Sequence, residues 1–321
     1  MRIAILRASY EGSTSPTAAL ARPFDPTLYM TPGAHEVVVV DLVGIDVMDQ
    51  LRALDATFSP DVYLNLCQGG FGDGRSGPYV PAALEKLGRP FTGASDVFYN
   101  LHKVETKRRM TEAGVDTPAS VHARTEAEIA HAAANLPFPL FVKHHDGSNS
   151  ISVFEDNLVT DVASLERVAR RVLAAHGGAL IEAYVDGPEV AVLLAENAED
   201  PANPFVYAPL EIGFPGGARF FHFDLKWGSY ASFVWRPIED ATLDARLREA
   251  ARRAWVACEG RSYARCDFRV DSAGTPWLLE INPNCCVFYP PDDLDLADNM
   301  LVRAPGGHAL FLERILAAAL R

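Results

Sequence analysis

The chain has 321 residues, with 29 basic against 42 acidic, a formal charge of −13, 49% hydrophobic residues and 22% charged residues. That composition belongs to a folded globular protein of two or three domains and excludes a collagen-like, disordered or disulfide-stapled chain. An acidic chain also lacks the basic surface that general nucleic-acid binding requires, so no nucleic-acid partner is expected.

The opening run Met1 to Leu6 is broken by Arg7 and is too short for a signal-peptide core. No window approaches the ~20 apolar residues of a bilayer span, so no membrane partner is expected. Cys67, Cys258, Cys266, Cys285 and Cys286 show no C-x-x-C spacing. An odd count without paired spacing points to neither a disulfide framework nor a structural zinc site, and the expected compartment is the cytoplasm.

Residues 2–6, 36–41 and 61–67 read as buried strands, each followed by a loop or a helical stretch, which is the alternation of a parallel α/β layer. After the loop 68–77 (QGGFGDGRSG), residues 78–87 read as a helix with proline at its start and Gly88 past its end. A second segment begins near residue 97. It carries helices over 102–113, 124–135 and 161–175, and a strand, a polar glycine loop and a second strand within 136–154. A third begins at Ala179 with strand, Asp-Gly-Pro turn and strand. Residues 205–236 read as further sheet, 240–258 as an amphipathic helix, then come a hairpin and a helix over 308–320. The expected division is 1–96, 97–178 and 179–321, in an α/β chain.

The hairpin, YARCDFRVD–SAG–TPWLLEINPN, is the most informative stretch. Alternation puts Arg265, Asp267 and Arg269 on one face, and Glu280, Asn282 and Asn284 on one face of the next strand. A turn at 272–274 sets Asp267 opposite Glu280, and like charges in register call for a cation. Two carboxylates and an amide oxygen are hard ligands suited to Mg²⁺. The same face also reads as a solvated polar surface with Arg265 and Arg269 neutralising the acids. Lys143 ends a strand before the loop His144 to Ser150, whose small residues would let backbone N–H groups approach phosphates, although it is not a P-loop. Glu182 and Glu189 flank Tyr184 and the Asp186-Gly187-Pro188 turn, where carboxylates could meet an adenine amino group or ribose hydroxyls. Lys103, Lys107 and Lys226 are further candidate phosphate cations. Gly72 to Gly77 matches G-x-G-x-x-G, but it follows the third strand, so it does not mark a dinucleotide site.

The ordered set resembles the ATP-grasp superfamily, in its D-alanine–D-alanine ligase-like branch. The set runs from the H-K-x-x-x-K helix through V-K and its loop, I-E-A-Y-V-D-G-P-E and K-W, to R-C-D-F-R-V-D and L-E-I-N-P-N. The resemblance implies an ATP-grasp fold behind an N-terminal Rossmann-like lobe. It casts Lys103, Lys143 and Lys226 as phosphate contacts, and Ser148, Asn149 and Ser150 as the loop over the phosphates. Glu182 becomes the adenine-amino acceptor, Tyr184 and Val185 the adenine-edge stretch, and Glu189 the ribose ligand. Asp267, Glu280 and Asn282 become ligands of two Mg²⁺ ions, and Arg265 stabilises the acyl-phosphate and tetrahedral species. The implied reaction is ATP-dependent joining of a small-molecule carboxylate to an amine through an acyl phosphate, in a homodimer. A phosphotransferase or a non-catalytic ATP-binding module on the same fold is the alternative.

The substrate-side motifs depart from that branch. The start reads R-A-S-Y-E-G-S, leaving Glu11 to stand in for its amine-binding carboxylate. Gln68 replaces the histidine of the H-G-x-x-G-E-D-G loop, and Trp227 replaces the tyrosine after Lys226. After E-I-N the chain continues Pro283-Asn284-Cys285-Cys286, without the family's glycine and serine. Tyr289 and Arg303 are the remaining candidate substrate contacts. These departures predict an amino-acid-like substrate pair other than D-alanine with D-alanine.

Overall fold

The computed structural model describes residues 1–147, 150–228 and 232–321. Three sheets carry the chain. The first is parallel, in the order β2-β1-β3-β4, from β1 (Arg2–Ala8), β2 (Glu36–Leu42), β3 (Val62–Asn65) and β4 (Phe91–Thr92). The second is antiparallel, in the order β5-β8-β6-β7, from β5 (Ser120–Ala123), β6 (Leu140–His144), β7 (Leu158–Val159) and β8 (Ala179–Ala183). The third takes β9 (Glu189–Ala195), β10 (Phe205–Val206), β11 (Leu210–Gly213), β12 (Val234–Pro237), β13 (Tyr263–Val270) and β14 (Pro276–Pro283). Its order is β12-β11-β9-β13-β14, with β10 beside β9.

Every residue of β9 is buried, as expected of a strand covered on both faces. One face meets Leu247, Ala251, Ala254 and Trp255 of the helix Ala241–Ala257. The other joins Ile3, Ile5 and Leu64 of the first sheet and Phe311 and Ile315 of the helix Gly307–Ala319 in one apolar cluster. The last helix thus ties the first sheet to the third, and the cleft lies where all three sheets converge.

Two stretches differ from the sequence reading. Residues 151–154 form no strand. Ser150 and Ser152 take left-handed backbone (φ 56° and 62°), and the buried Asn157 side chain donates to the carbonyls of Val142 and Ser152 where a ladder partner would be. The segment 205–236 is not continuous sheet, because Phe223–Gly228 is a helix. Its aromatic residues pack ring on ring around that helix: Phe214 on Phe221 (5.0 Å), Phe221 on Phe233 (4.9 Å) and Phe233 on Trp235 (5.8 Å), the last of these on β12 opposite Ile212.

Candidate active site

Asp267 and Glu280 are register partners, and Arg265 pairs with Asn282. A bulge then shifts the ladder, so that Phe268 faces Leu278. The extra residue turns Leu279 and Glu280 toward the cleft while Leu278 and Ile281 stay in the core, which strict alternation would not allow. Arg265 donates two bonds to Asp267, at 2.7 and 2.8 Å. Lys103, first residue of the helix Lys103–Glu112, forms an ion pair with Glu280. The Asn282 amide donates to Asp267 (2.8 Å) and Glu280 (3.2 Å). Burial would raise the Glu280 carboxyl, but Lys103 and Lys143 hold it far below the usual carboxylate range.

Asn284 lines the same cleft as Glu280 and Asn282. It sits past the strand end with φ 48°, and its side-chain oxygen accepts from the Ala94 N–H (2.8 Å).

A second charged centre spans β6 and β8. Glu182 takes Lys143 at 2.6 Å and Lys107 at 2.6 Å. Burial alone would raise Glu182; the two ammonium groups overcome it and bring its pKa down to about 2. Lys107 also donates to Thr117 Oγ1 (2.9 Å) and the Pro118 carbonyl (3.1 Å), so its three donors are used inside the fold. Its sequence role as a phosphate cation is corrected to that of a buried counter-charge. Lys143 lines the cleft, with donors beyond the one Glu182 takes.

The β8–β9 turn forms the third part. Arg269 donates to Tyr184 Oη (2.7 Å), the Val185 carbonyl (3.1 Å) and the Gly187 carbonyl (3.2 Å), and lies 3.4 Å from Glu189. Burial pushes Glu189 up to about 7 against the pull of Arg269. Phe141 and Phe220 meet edge to face at 4.9 Å on the cleft wall beside Tyr184 and Val185. Sequence reasoning treated Arg269 only as a neutraliser of the hairpin acids. Its place two residues beyond Asp267, on the same face, was the available signal. The aromatic wall carried none, because its two rings come from segments far apart in the chain.

One cleft gathers Gln68, Lys103, Lys143, Ser150, Glu182, Tyr184, Val185, Glu189, Lys226, Arg265, Asp267, Glu280 and Asn282. Ser148 and Asn149 lie outside the described residues. Four candidate substrate contacts do not line it. Glu11 is exposed in a turn, where its N–H meets Ser9 Oγ. Trp227 lies on the short helix beside Phe223 (6.4 Å). Tyr289 is buried against Phe24 and beneath Arg22. Arg303 folds back on Asn299. Cys285, Cys286 and Asp295 occupy the cleft wall instead.

A family model described as the D-ala D-ala ligase C-terminus matches residues 113–286. The chain belongs to the D-alanine–D-alanine ligase family. It is 32% identical over 255 residues to the D-alanine–D-alanine ligase of Stutzerimonas stutzeri, covering 78% of this chain and 76% of that one. It is 33% identical over 248 residues to the uncharacterised protein y4sG of Sinorhizobium fredii, covering 72% and 70%. Among solved structures, the D-alanine–D-alanine ligase of Bacillus anthracis complexed with ATP superposes with a TM-score of 0.73 at 20% identity, over 100% and 98% of the two chains. VanG D-Ala:D-Ser ligase of Enterococcus faecalis gives 0.74 at 16%, over 99% of each. The fold is ATP-grasp, and as a member of the D-alanine–D-alanine ligase family the protein is a ligase that forms C–N bonds. Among the described residues no helix is long and apolar enough to cross a membrane.

The donor set of this D-alanine–D-alanine ligase-like cleft also fits a hard divalent cation. The described residues hold no cluster of three His, Cys, Asp or Glu side chains arranged for a metal. Two carboxylates with one amide oxygen suit Mg²⁺, which commonly completes its shell from water and substrate phosphates.

Proposed function

We propose that this ATP-dependent carboxylate–amine ligase works through an acyl phosphate, on an amino-acid-like carboxylate and an amine other than the pair D-alanine and D-alanine. One observation carries the reading. Lys103, Lys143, Glu189, Asp267, Glu280 and Asn282 line one cleft, which supports their reading as the nucleotide and metal side; Gln68, Cys285, Cys286 and Asp295 line it too and Glu11 does not, which supports a substrate end unlike that of the family.

Adenine would lie against the Phe141–Phe220 wall, with the backbone of Tyr184 and Val185 at its edge and Glu189 at the ribose. Lys143 and Lys103 each give one arm to a carboxylate, so further N–H donors of each can meet phosphate oxygens. Lys226 and Ser150 line the same cleft and extend that cradle, with Ser148 and Asn149 expected to complete it. Asp267, Glu280 and Asn282 would hold Mg²⁺, which supplies charge neutralisation on the phosphates. The substrate carboxylate attacks the γ-phosphorus, the β–γ bridging bond breaks, and ADP leaves. The amine then attacks the acyl carbon and phosphate departs. Arg265, fixed by Asp267, has guanidinium donors left for the oxygen on which negative charge develops. Most of this catalysis is positioning and electrostatics, and the buried ion pairs supply the rigidity it requires.

The test is ADP release with Mg²⁺ and pools of L- and D-amino acids, with and without hydroxylamine. Substrate-dependent ADP release with a trapped hydroxamate is expected. Release without hydroxamate would instead identify phosphate transfer.

A further inference from the structure

The segment 285–295 brings Cys285, Cys286 and Asp295 to the cleft wall. Two residues beyond Cys286, Phe288 takes left-handed backbone with φ 70° and is fully buried. A bulky side chain rarely enters that region, and it stays there only where its surroundings fix it. Both backbone groups of Phe288 are held. Its N–H donates to Asp298 Oδ1 at 2.7 Å, and its carbonyl accepts from the Asp25 N–H at 2.8 Å.

Asp298 gathers the rest of the segment. It is 0% exposed, on the helix Leu296–Leu301, and stands behind the cleft wall rather than on it. Its Oδ2 accepts from the N–H groups of Asp295 (3.1 Å) and Tyr289 (3.4 Å). The bond from Asp295 belongs to a helix-capping box. Those from Phe288 and Tyr289 do not, and they reach back ten and nine residues. His308 Nε2 stands 2.8 Å from Oδ1; burial raises the Asp298 carboxyl, and this contact lowers it. The His308 ring is buried too and stacks on Tyr29 at 4.0 Å. Tyr29 and Asp25 lie in a stretch of the first lobe, 22–29, that crosses to the wall. Arg22 of that stretch donates to the Asp293 carbonyl (3.1 Å) and to Asp295 Oδ2 (2.6 Å). An apolar residue at 298 would pack without the desolvation cost of a carboxylate. What the carboxylate adds is a fixed backbone beneath the cleft wall.

We propose that Asp298 is a positioning residue of the ligase. By holding the N–H groups of Phe288, Tyr289 and Asp295 it sets the wall on which Cys286 and Asp295 face the cleft, and His308 keeps its carboxylate oriented. It acts through the backbone of 285–295. The proposal deepens the function given above, because it rests on reading that wall as the substrate end. Its consequence is an effect on substrate KM without one on ATP affinity.

Wild-type protein, Asp298→Asn, His308→Leu and His308→Gln are compared in three measurements. These are ATP affinity by calorimetry, KM and kcat for hydroxamate formation with the amino acids that support it, and the rate at which iodoacetamide alkylates Cys286, read by peptide mass spectrometry. Asparagine at 298 exchanges one acceptor oxygen for a donor, so one pair of the groups that meet Asp298 loses its acceptor. Asp298→Asn is expected to raise KM roughly 10- to 100-fold, as for lost hydrogen bonds to a charged group, with ATP affinity unchanged. Alkylation of Cys286 should quicken roughly 10-fold, the change that one unit of thiol pKa makes. His308→Leu should move the same two readouts in the same direction. His308→Gln, which keeps a donor near the place of Nε2, should restore both. A folded Asp298→Asn protein with wild-type KM and alkylation overturns the proposal. So does a joint fall in ATP affinity, kcat and melting temperature that His308→Gln shares, which would make Asp298 a residue of general stability. If Asp298→Asn does not fold, His308→Leu set against His308→Gln decides between the same outcomes. No ADP release from the wild type with any amino acid overturns the ligase reading instead, and ATP affinity with Cys286 alkylation then decides on Asp298.

Discussion

Asp267 and Glu280 stand opposite each other across the last hairpin, and each is met by a cation from a different direction. Arg265 approaches Asp267 along the same strand, while Lys103 reaches Glu280 from a helix 177 residues earlier. The Asn282 amide bridges the two carboxylates, donating to Asp267 at 2.8 Å and to Glu280 at 3.2 Å.

Replacing Asp267 tests the metal reading and the pairing with Arg265 separately. Asp267→Asn is expected to lower Mg²⁺-dependent ADP release by roughly 100-fold or more, the scale of a lost electrostatic contact at a transition state. Asp267→Ala leaves Arg265 buried without its bidentate partner, and should cost about 3–5 kcal/mol in chemical denaturation. An Asp267→Asn enzyme with wild-type turnover would remove Asp267 from the metal set.

Glu182 ties stability to acid. Its folded pKa of about 2 lies below the unfolded carboxylate value, so its contribution is fully present above about pH 4.5 and is lost as pH falls toward 2. The shift corresponds to about 3 kcal/mol. Glu182→Gln should be less stable at pH 7 and show a flatter stability profile between pH 4.5 and 2. Denaturation midpoints across that window provide the check.

Glu189 titrates in the opposite sense. Burial raises it to about 7, so the folded protein holds this proton more tightly than the unfolded chain, and its stabilising effect fades as pH rises from about 4.5 through 7. A carboxylate accepts ribose hydroxyls better than a carboxylic acid does, so ATP affinity should increase between pH 6 and 8. Calorimetric titration of Glu189→Gln should show a flat profile over the same range.

Gly187 cannot carry a side chain. A Cβ there would stand 1.8 Å from the Val270 carbonyl oxygen, on backbone with φ 152°. Gly187→Ala should cost about 2–3 kcal/mol from overpacking and strain. Because Arg269 bonds both the Gly187 and Val185 carbonyls, ATP affinity should fall along with the melting temperature. Arg269→Lys should weaken ATP binding as well, because one ammonium cannot span the groups that the guanidinium reaches.

Much of this site was legible from local pattern. Alternation and the turn at 272–274 placed Asp267 opposite Glu280, and that register is the one found. The ladder shift beyond it was not legible, since period two cannot announce that Leu278 and Ile281 both turn inward. Asn284 lines the cleft with Glu280 and Asn282 although the strand ends before it, and its side-chain oxygen accepts from the Ala94 N–H, a bond that no local period encodes. Aromatic alternation over 205–236 matches the strands at its two ends, but a short helix interrupts it at Phe223–Gly228, where ring-on-ring packing holds Phe214, Phe221 and Phe233 together.

The sequence by itself determined the order of elements, the opposed hairpin acids and the lysines that precede the polar loop, because these depend on spacing within a strand or a single turn. Only the tertiary structure decided which cation meets which carboxylate: Lys107 with Glu182, Arg269 with Glu189 and Lys103 with Glu280. Those partners lie tens of residues apart, and no local period encodes the distance between two packed elements. Charge pairing in a buried cleft is set by the cost of desolvation once the sheets have closed, and that cost exists only in the folded protein.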